Sequence, residues 1–412
     1  MTVVPSASSA EEKLTEGRVT RATLWVGFFT NGVWDMLSVV VPLYAAAVGL
    51  SAADIGFIVA ARSVLPTALS IHGGILMDYW GTRRVLLWLA VVCVLLPLLY
   101  PLAGWFAPLV VLQLALGLAS SLGMAAAQTW SLQTSHDTAT LARFSLFSRI
   151  GTFLGPLMIG AIWDLLGAWA AFASISLWAA GTVAAAAPTP DTARRKAAAA
   201  VSAHRARTLA ALIPQWSAHK KALALSAIPA VTFVLAVSFF RNAPGAVQSS
   251  LYIVYLGQIG FSGTLIGALV SLSELSGVAG SLVAARMERH VRPASLVVVC
   301  IAISILAITL TPLIAVSFTL LAVAAAARGT AQGLSQPVMY SILGRAVPPE
   351  AHGASVGVRN AVTRLASIIT PAVMGVAAEV YGIAASFYIV GVVMLIGVAC
   401  LAFAARSLQA PG

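Results

Sequence analysis

The chain has 412 residues, of which 60% are hydrophobic and only 9% are charged, whereas an ordinary soluble domain is roughly 25% charged. Because so few charges cannot cover a soluble surface, the composition predicts a polytopic membrane protein. The formal net charge of +11 would suggest a nucleic-acid partner in a soluble protein, but the chain has no zinc-finger, basic-zipper or aromatic-basic pattern. We therefore expect a lipid bilayer around the chain and no nucleic-acid partner.

Apolar runs predict an all-α membrane protein with 12 transmembrane helices, since each run has the roughly 20 residues that cross a bilayer. The predicted spans are 24–48, 54–77, 85–103, 106–130, 145–166, 168–187, 233–258, 264–287, 294–313, 315–342, 355–379 and 383–405. The predicted organisation is a cytoplasmic N-terminal tail, a six-helix bundle, a basic cytoplasmic linker, a second six-helix bundle and a cytoplasmic C-terminal tail, at residues 1–20, 21–187, 188–222, 223–406 and 407–412.

The placement of Lys and Arg predicts the orientation of these spans. Most basic residues fall in the segments 78–84, 136–143, 188–222, 286–292 and 345–352, whereas the turns near residues 50, 104, 165, 260, 313 and 381 have none. Short basic loops are retained on the cytoplasmic side of a membrane. We therefore expect a multi-pass protein of the cell (inner or plasma) membrane with both termini in the cytoplasm.

The two halves of the chain repeat each other. A shift of 211 residues places Phe28-Phe29-x-Asn31 on Phe239-Phe240-x-Asn242, and Gly49 on Gly260. A shift of 215 residues matches the fifth span to the eleventh, with the pairs Arg149/Arg364, Pro156/Pro371, Gly160/Gly375, Asp164/Glu379 and Gly167/Gly382. Two six-helix halves joined by a basic linker are typical of transporters built from parallel repeats. We therefore expect two pseudo-symmetric bundles.

A polar turn joins the second and third spans. Its characteristic residues are Gly74, Asp78, Gly81, Arg83 and Arg84. Their order and spacing resemble the loop 2–3 signature of the major facilitator superfamily, although Tyr79 stands where the family usually has a basic residue. The resemblance, which covers about residues 20–406, implies that this loop helps to lock the inward-closed state. Asp78 would then lie near the start of the eleventh span, where a helix N-terminus favours a carboxylate.

The fifth span contains small residues at four-residue spacing and a proline, namely Gly151, Gly155, Pro156 and Gly160. This pattern resembles the Gly-Pro motif of drug–proton antiporters in the same superfamily, with Ile159 in place of one expected glycine. Ordinary close packing of helices in lipid is the alternative interpretation. In the fourth span, Gln113 stands where drug exporters of the family usually have an arginine, so the chain departs from their proton relay.

Polar side chains near the middle of the predicted spans are the candidates for a substrate and proton site. They are Asn31, Asp35, Arg62, Gln113, Arg241, Glu274 and Arg328. Each charged side chain would cost at least about 2.5–3.5 kcal/mol facing lipid, so we expect these residues to face a cavity or one another. A substrate cavity between the halves is one interpretation, and buried ion pairs that only fix the helix register are the other.

No metal-ligand cluster, phosphate loop or nucleophile–base arrangement appears in the sequence, so we expect no cofactor, no metal, no ATP-driven pump and no enzyme activity. The sequence predicts a monomeric secondary active transporter for a small organic compound, coupled to protons through Asp35 or Glu274. Export is the first hypothesis, because of the Gly-Pro motif. Uptake of an organic anion is the alternative, because Arg62, Arg241 and Arg328 outnumber the mid-span acids. A polytopic membrane enzyme would need a catalytic cluster near a membrane face, and the sequence contains none.

Overall fold

The computed structural model describes residues 7–134, 137–189, 228–347 and 352–407, and these residues are helical without a strand. The predicted linker from residue 190 onward, and the tails at 1–6 and 408–412, lie outside the described residues. The α-helices are Ala7–Ala47, Ala52–Trp80, Thr82–Leu95, Phe106–Thr134, Thr138–Ala186, Pro229–Val247, Ile253–Gln258, Gly263–Glu288, Pro293–Thr309, Thr311–Ile314, Phe318–Ala346, His352–Tyr381 and Ile383–Ser407.

These helices form twelve spans, as the sequence predicts. The long helix Thr138–Ala186 is broken at Gly167 (φ 77°, ψ −173°), so it supplies the fifth and sixth spans. A 3₁₀ helix at Leu96–Leu102 continues the third span, and a π-helical segment at Gln248–Tyr252 continues the seventh. The ninth span consists of Pro293–Thr309 and the short helix that follows it.

Length and hydropathy alone single out fewer spans than the fold contains. Eight helices within the described residues are long and apolar enough to cross a membrane, and one of them is the broken helix that supplies two spans. The seventh, ninth and tenth spans fall outside that set. The ninth does so because its helix Pro293–Thr309 is short, whereas the seventh and tenth each have an arginine near the middle, Arg241 and Arg328. The all-helical fold class is confirmed, and the seventh and tenth spans are the polar ones.

The first helix differs most from the predicted boundaries. It begins at Ala7, whereas the apolar run predicts a span from residue 24. Hydropathy indicates where a helix enters the lipid and not where its backbone hydrogen bonds begin. It therefore underestimates the length of a helix that continues into water.

Paired glycines confirm that the repeat in the sequence is a repeat in the structure. Gly49 and Gly260 have φ of 80° and 95°, and Gly167 and Gly382 have φ of 77° and 84°. Positive φ values are readily adopted only by glycine, so these repeat-related positions make the same turn in each half. The four turns lie at one end of the molecule, which we call the acidic end because Asp54, Asp164 and Glu379 lie there. The opposite end, with Arg83, Arg84, Arg286, Arg289, Arg292 and Arg345, is the basic end.

The lateral surface of the molecule is apolar. Large side chains such as Leu165, Trp88 and Leu282 are 80%, 70% and 78% exposed. Contiguous apolar surface on this scale marks contact with lipid or with another protein. Exposed aromatic residues lie near the span ends, where membrane–water interfaces favour them; they include Tyr79, Trp80, Trp105, Trp169 and Tyr381. The surface is therefore of the kind that faces a bilayer.

The two bundles contact each other along two seams, where the fifth span packs on the eighth and the second packs on the eleventh. In the first seam, the backbone at Gly160 approaches the Gly263 carbonyl so closely that a Cβ atom would collide with it. In the second, Gly56 meets the Pro371 carbonyl in the same way. Both close approaches lie toward the acidic end, so the bundles are in backbone contact there.

Candidate functional site

A cavity of about 460 Å³ lies between the two bundles, within the ~300–1,000 Å³ range typical of small-molecule sites. Both halves of the chain line it, and its charged lining residues are Asp35, Arg62, Glu274, Arg328 and Arg364. At about 1.5 Å per residue, Asp35 lies about 18 Å along its helix from Ala47, and Glu274 lies about 16 Å from Gly263. These residues are therefore near the middle of a bilayer about 30 Å thick.

Four of the seven sequence-predicted site residues line this cavity, namely Asp35, Arg62, Glu274 and Arg328. The remaining three, Asn31, Gln113 and Arg241, do not line it. Asn31 donates its amide hydrogen to the Gly27 carbonyl at 2.8 Å within its own helix. Gln113 is 1% exposed, and its Oε1 atom has no hydrogen-bond partner among the described residues.

Arg241 connects two spans instead of facing the cavity. Its Nε donates to Ser335 Oγ at 3.0 Å, and its Nη2 donates to the Gln332 carbonyl at 2.9 Å and to Gln336 Oε1 at 3.2 Å. All three acceptors are on the tenth span. The Arg241 guanidinium therefore holds the seventh span against the tenth.

Arg62 is held by a single neighbouring residue. The side chain is 5% exposed, and its Nη1 donates to the Trp34 carbonyl at 3.1 Å. Its guanidinium carbon lies 4.0 Å from the centre of the Trp34 ring, which is cation–π contact. Arg62 therefore joins the second span to the first through Trp34.

Arg328 is also bound within the protein. It is 3% exposed, and its Nη2 donates to Ser273 Oγ at 2.5 Å and to Gln248 Oε1. These neutral acceptors belong to the eighth and seventh spans. An arginine hydrogen-bonded in this way can be buried without a carboxylate partner.

The two acids of the cavity are not paired. Neither Asp35 nor Glu274 has a side-chain hydrogen bond, or an ion pair within 4.0 Å, with a described residue; the ion pair found in the described part of the chain joins Arg345 and Glu288 at 3.1 Å at the basic end. The charges that act on Asp35 are those of Glu274, Arg62 and Arg149. The cavity therefore presents two carboxylates with unused acceptor positions, from opposite halves of the chain.

Arg364 is a cavity residue that mid-span reasoning missed. Its Nη2 donates to Ser121 Oγ at 2.7 Å, across the boundary between the bundles. The signal that could have found it was the repeat, which pairs Arg364 with Arg149 inside two matched spans.

The Gly-Pro motif of the fifth span packs against two different spans. Gly151 lies on the Phe28 carbonyl and Gly155 lies against Gly32, both in the first span. On the other face, the Pro156 carbonyl meets Gly267 of the eighth span. The motif therefore joins the first bundle internally and also forms part of the seam between the bundles.

A carboxylate closes the acidic end of that seam. Asp164 accepts hydrogen bonds from the backbone nitrogens of Gly263 and Thr264 at 2.8 and 2.7 Å, and from Thr264 Oγ1 at 2.6 Å. It thus caps the N-terminus of the eighth span from the opposite bundle. Its repeat partner Glu379 accepts from the Ala53 nitrogen at 3.4 Å, at the start of the second span.

At the basic end, the loop residues Asp78 and Arg83 make no hydrogen bond to the other bundle among the described residues. Asp78 is exposed and makes no hydrogen bond or ion pair there, while residues 348–351, before the eleventh span, lie outside the description. Arg83 instead donates to the Ala186 and Ala187 carbonyls at 3.1 and 2.8 Å, at the end of the sixth span. The hydrogen bonds between bundles described above lie at the acidic end or as deep as the cavity.

Across the described ranges, no group of three or more His, Cys, Asp or Glu residues is arranged to hold a metal ion. Two repeat-related six-helix bundles with a cavity between them are the architecture of transporters built from parallel repeats. The chain belongs to the Major Facilitator Superfamily, whose family model matches residues 23–246 and 234–411. It is accordingly a multi-pass membrane transporter and not an enzyme.

Solved structures of other transporters share this fold. A mutant of the nucleoside transporter NupG has a TM-score of 0.76 and 15% identity, with 95% of this chain and 100% of that chain covered. A POT family transporter in complex with 5-aminolevulinic acid has a TM-score of 0.72 and 12% identity, with 95% and 96% covered. At these identities the likeness shows the fold alone. No curated protein matches the chain in a sequence comparison.

Proposed function

We propose that this transporter exports a small organic compound across the cytoplasmic membrane in exchange for protons, acting as a monomer. The observation that supports this most directly is the pair of unpaired carboxylates, Asp35 and Glu274, in a cavity closed at one end. Two like charges in one cavity repel each other, so a proton or a cationic group bound to either carboxylate lowers the electrostatic energy. Protons and a cationic substrate therefore compete for the same groups, which is the requirement for exchange.

The orientation follows from the positive-inside rule. The basic end carries the short loops rich in arginine, so we assign it to the cytoplasm, together with both termini. Since the Asp164 and Glu379 hydrogen bonds join the bundles at the opposite end, we infer that the cavity opens to the cytoplasm and is closed to the outside. A compound to be exported enters this state first, and rocking of the bundles would expose it outside, where protons replace it.

The test is transport in proteoliposomes with an imposed proton gradient, using matched cationic, neutral and anionic compounds. We expect uphill movement of a cationic or partly cationic compound against an opposing flow of protons, reported by a pH-sensitive dye. Movement of substrate that is independent of the gradient would contradict proton coupling. Protein-free vesicles are the control.

Uptake of an organic anion is the second candidate, since three arginines line the cavity with two acids. Arg62 and Arg328 are already bound to neutral protein groups, which leaves Arg364 to receive an anion. The same assay separates the candidates, because anion uptake moves substrate and protons in one direction and exchange moves them in opposite directions.

The loop between the second and third spans is expected to act in the opposite state, in which the basic end closes. Asp78→Asn should reduce transport at least about tenfold, because loss of one charge-assisted contact at a helix N-terminus shifts the balance of states by about 1.4 kcal/mol or more. Initial transport rates measure this effect, and membrane insertion and thermal stability should stay unchanged.

The matched control is Glu288→Gln, since Glu288 is also an acid at the basic end but pairs with Arg345 inside its own bundle. Its transport rate should remain near that of the wild type. A wild-type rate in Asp78→Asn would rule out the locking role of the loop.

A further inference from the structure

The charges of the cavity come from spans of both seams between the bundles. Glu274 is on the eighth span, which packs on the fifth, and Arg364 is on the eleventh, which packs on the second. Asp35 is on the first span, and the charges that act on it are those of Glu274, Arg62 and Arg149. The cavity therefore holds two carboxylates from opposite halves of the chain together with the Arg364 guanidinium of the eleventh span.

Arg364 retains most of its capacity to bind a ligand. A guanidinium has five N–H donors, and one nitrogen, Nη2, is used in the hydrogen bond to Ser121. No carboxylate of a described residue lies within 4.0 Å of it. The other cavity arginines differ, because Arg62 lies on the Trp34 ring and Arg328 is bound to Ser273 and Gln248.

We propose that the substrate is a zwitterion, with its ammonium group bound by Asp35 and Glu274 and its carboxylate bound by Arg364. This inference rests on the proposed function only in taking the cavity as the substrate site. An ammonium has three donors for two carboxylates, and a planar guanidinium matches a carboxylate with two parallel hydrogen bonds. A cation alone would leave Arg364 unpaired near the middle of the membrane, and an anion alone would leave both acids unpaired, each of which is costly.

Binding of three probes that differ only in charge tests this assignment. They are 5-aminopentanoate, pentylamine and pentanoate, titrated calorimetrically into the purified full-length protein at pH 7. We expect the zwitterion to bind about 10- to 100-fold more tightly than either singly charged probe, the factor that one charge-assisted hydrogen-bonded pair gives. Amino acids of the same type with four to seven carbons would show which length spans the cavity.

The Arg364→Gln variant should lose this preference, so that 5-aminopentanoate binds no more tightly than pentylamine does. Pentylamine binding should not weaken, because a positive charge is removed from the cavity. Arg364→Lys should retain part of the preference, since it keeps the charge and loses the planar donor pair. Arg359→Gln is the control: Arg359 is on the same span, donates to Tyr340 Oη at 2.6 Å and does not line the cavity. It should keep the wild-type preference.

Equal affinity of the wild type for the zwitterion and for pentylamine would overturn the inference, as would absence of binding for all lengths or an unchanged preference in Arg364→Gln. If that variant does not fold, the comparison of probes on the wild type decides the question. Proton flux driven by pentylamine without preference for the zwitterion would overturn this inference alone. Preference for the zwitterion without proton flux would overturn proton coupling and support the zwitterion site.

Discussion

Asp35→Asn is expected to abolish proton-driven accumulation of substrate while substrate exchange down its gradient continues. Asparagine has nearly the same shape as aspartate but cannot bind and release a proton. Asp35 lines the central cavity and forms no hydrogen bond or ion pair with a described arginine, so its replacement breaks no direct contact of a described buried cation. We expect at least a 100-fold loss of uphill transport, since a step that needs a titrating group stops when the group is replaced.

The measurement compares uphill transport with substrate counterflow in the same vesicles. Asp54→Asn is the matched control, because Asp54 accepts from Ser51 Oγ at 3.0 Å at the start of the second span and is far from the cavity. Retained uphill transport in Asp35→Asn would move the proton site to Glu274, and Glu274→Gln is then the variant that should abolish it.

Asp164→Ala is expected to shift the protein away from the state in which the acidic end is closed. The Asp164 carboxylate accepts three hydrogen bonds from Gly263 and Thr264 of the other bundle. A hydrogen bond to a charged group contributes about 1.5–3 kcal/mol, so loss of even one such bond changes the ratio of the two states about 10- to 100-fold. The eighth span also loses its cap from across the seam, which makes separation of the bundles less unfavourable.

Distances between spin labels measure this shift. Leu166 and Leu313 are 69% and 65% exposed at the acidic end, one in each bundle, and a label at each reports how far apart the bundles are. The exposed Cys400 is replaced first. We expect a longer distance to become populated in Asp164→Ala. Asp54→Ala is the control and should leave the distance distribution unchanged, because the hydrogen bond of Asp54 is with Ser51 at the start of the same span. A longer distance in both variants, or in neither, would contradict the role of Asp164 in closure.

The helices and their repeat could be predicted from the sequence because both depend on local properties. A bilayer requires about 20 apolar residues per span wherever the span packs, so most boundaries follow from hydropathy to within a few residues. The turn glycines Gly49, Gly167, Gly260 and Gly382 are recognisable because φ values of 77° to 95° require glycine. The family also follows from local signatures such as the residues around Asp78.

The cavity residues were only partly predictable, because a position within a span does not specify the side of the helix or its neighbours. Asp35, Arg62, Glu274 and Arg328 were predicted and line the cavity, since a buried charge must avoid lipid. Arg241 satisfies the same requirement by hydrogen bonds to the tenth span, and a linear sequence does not distinguish these outcomes.

The sequence by itself determined the twelve spans, the two-fold repeat, the asymmetric placement of basic residues and the presence of charge near the membrane centre, because each depends on residue type and spacing. Only the tertiary structure decided which charges are bound and which are available. It shows that Arg62 and Arg328 are held by neutral groups, that Asp35 and Glu274 form no ion pair with a described residue, and that Arg364 lines the same cavity. Those relations join residues as far as 243 positions apart, and they are set by how the bundles pack.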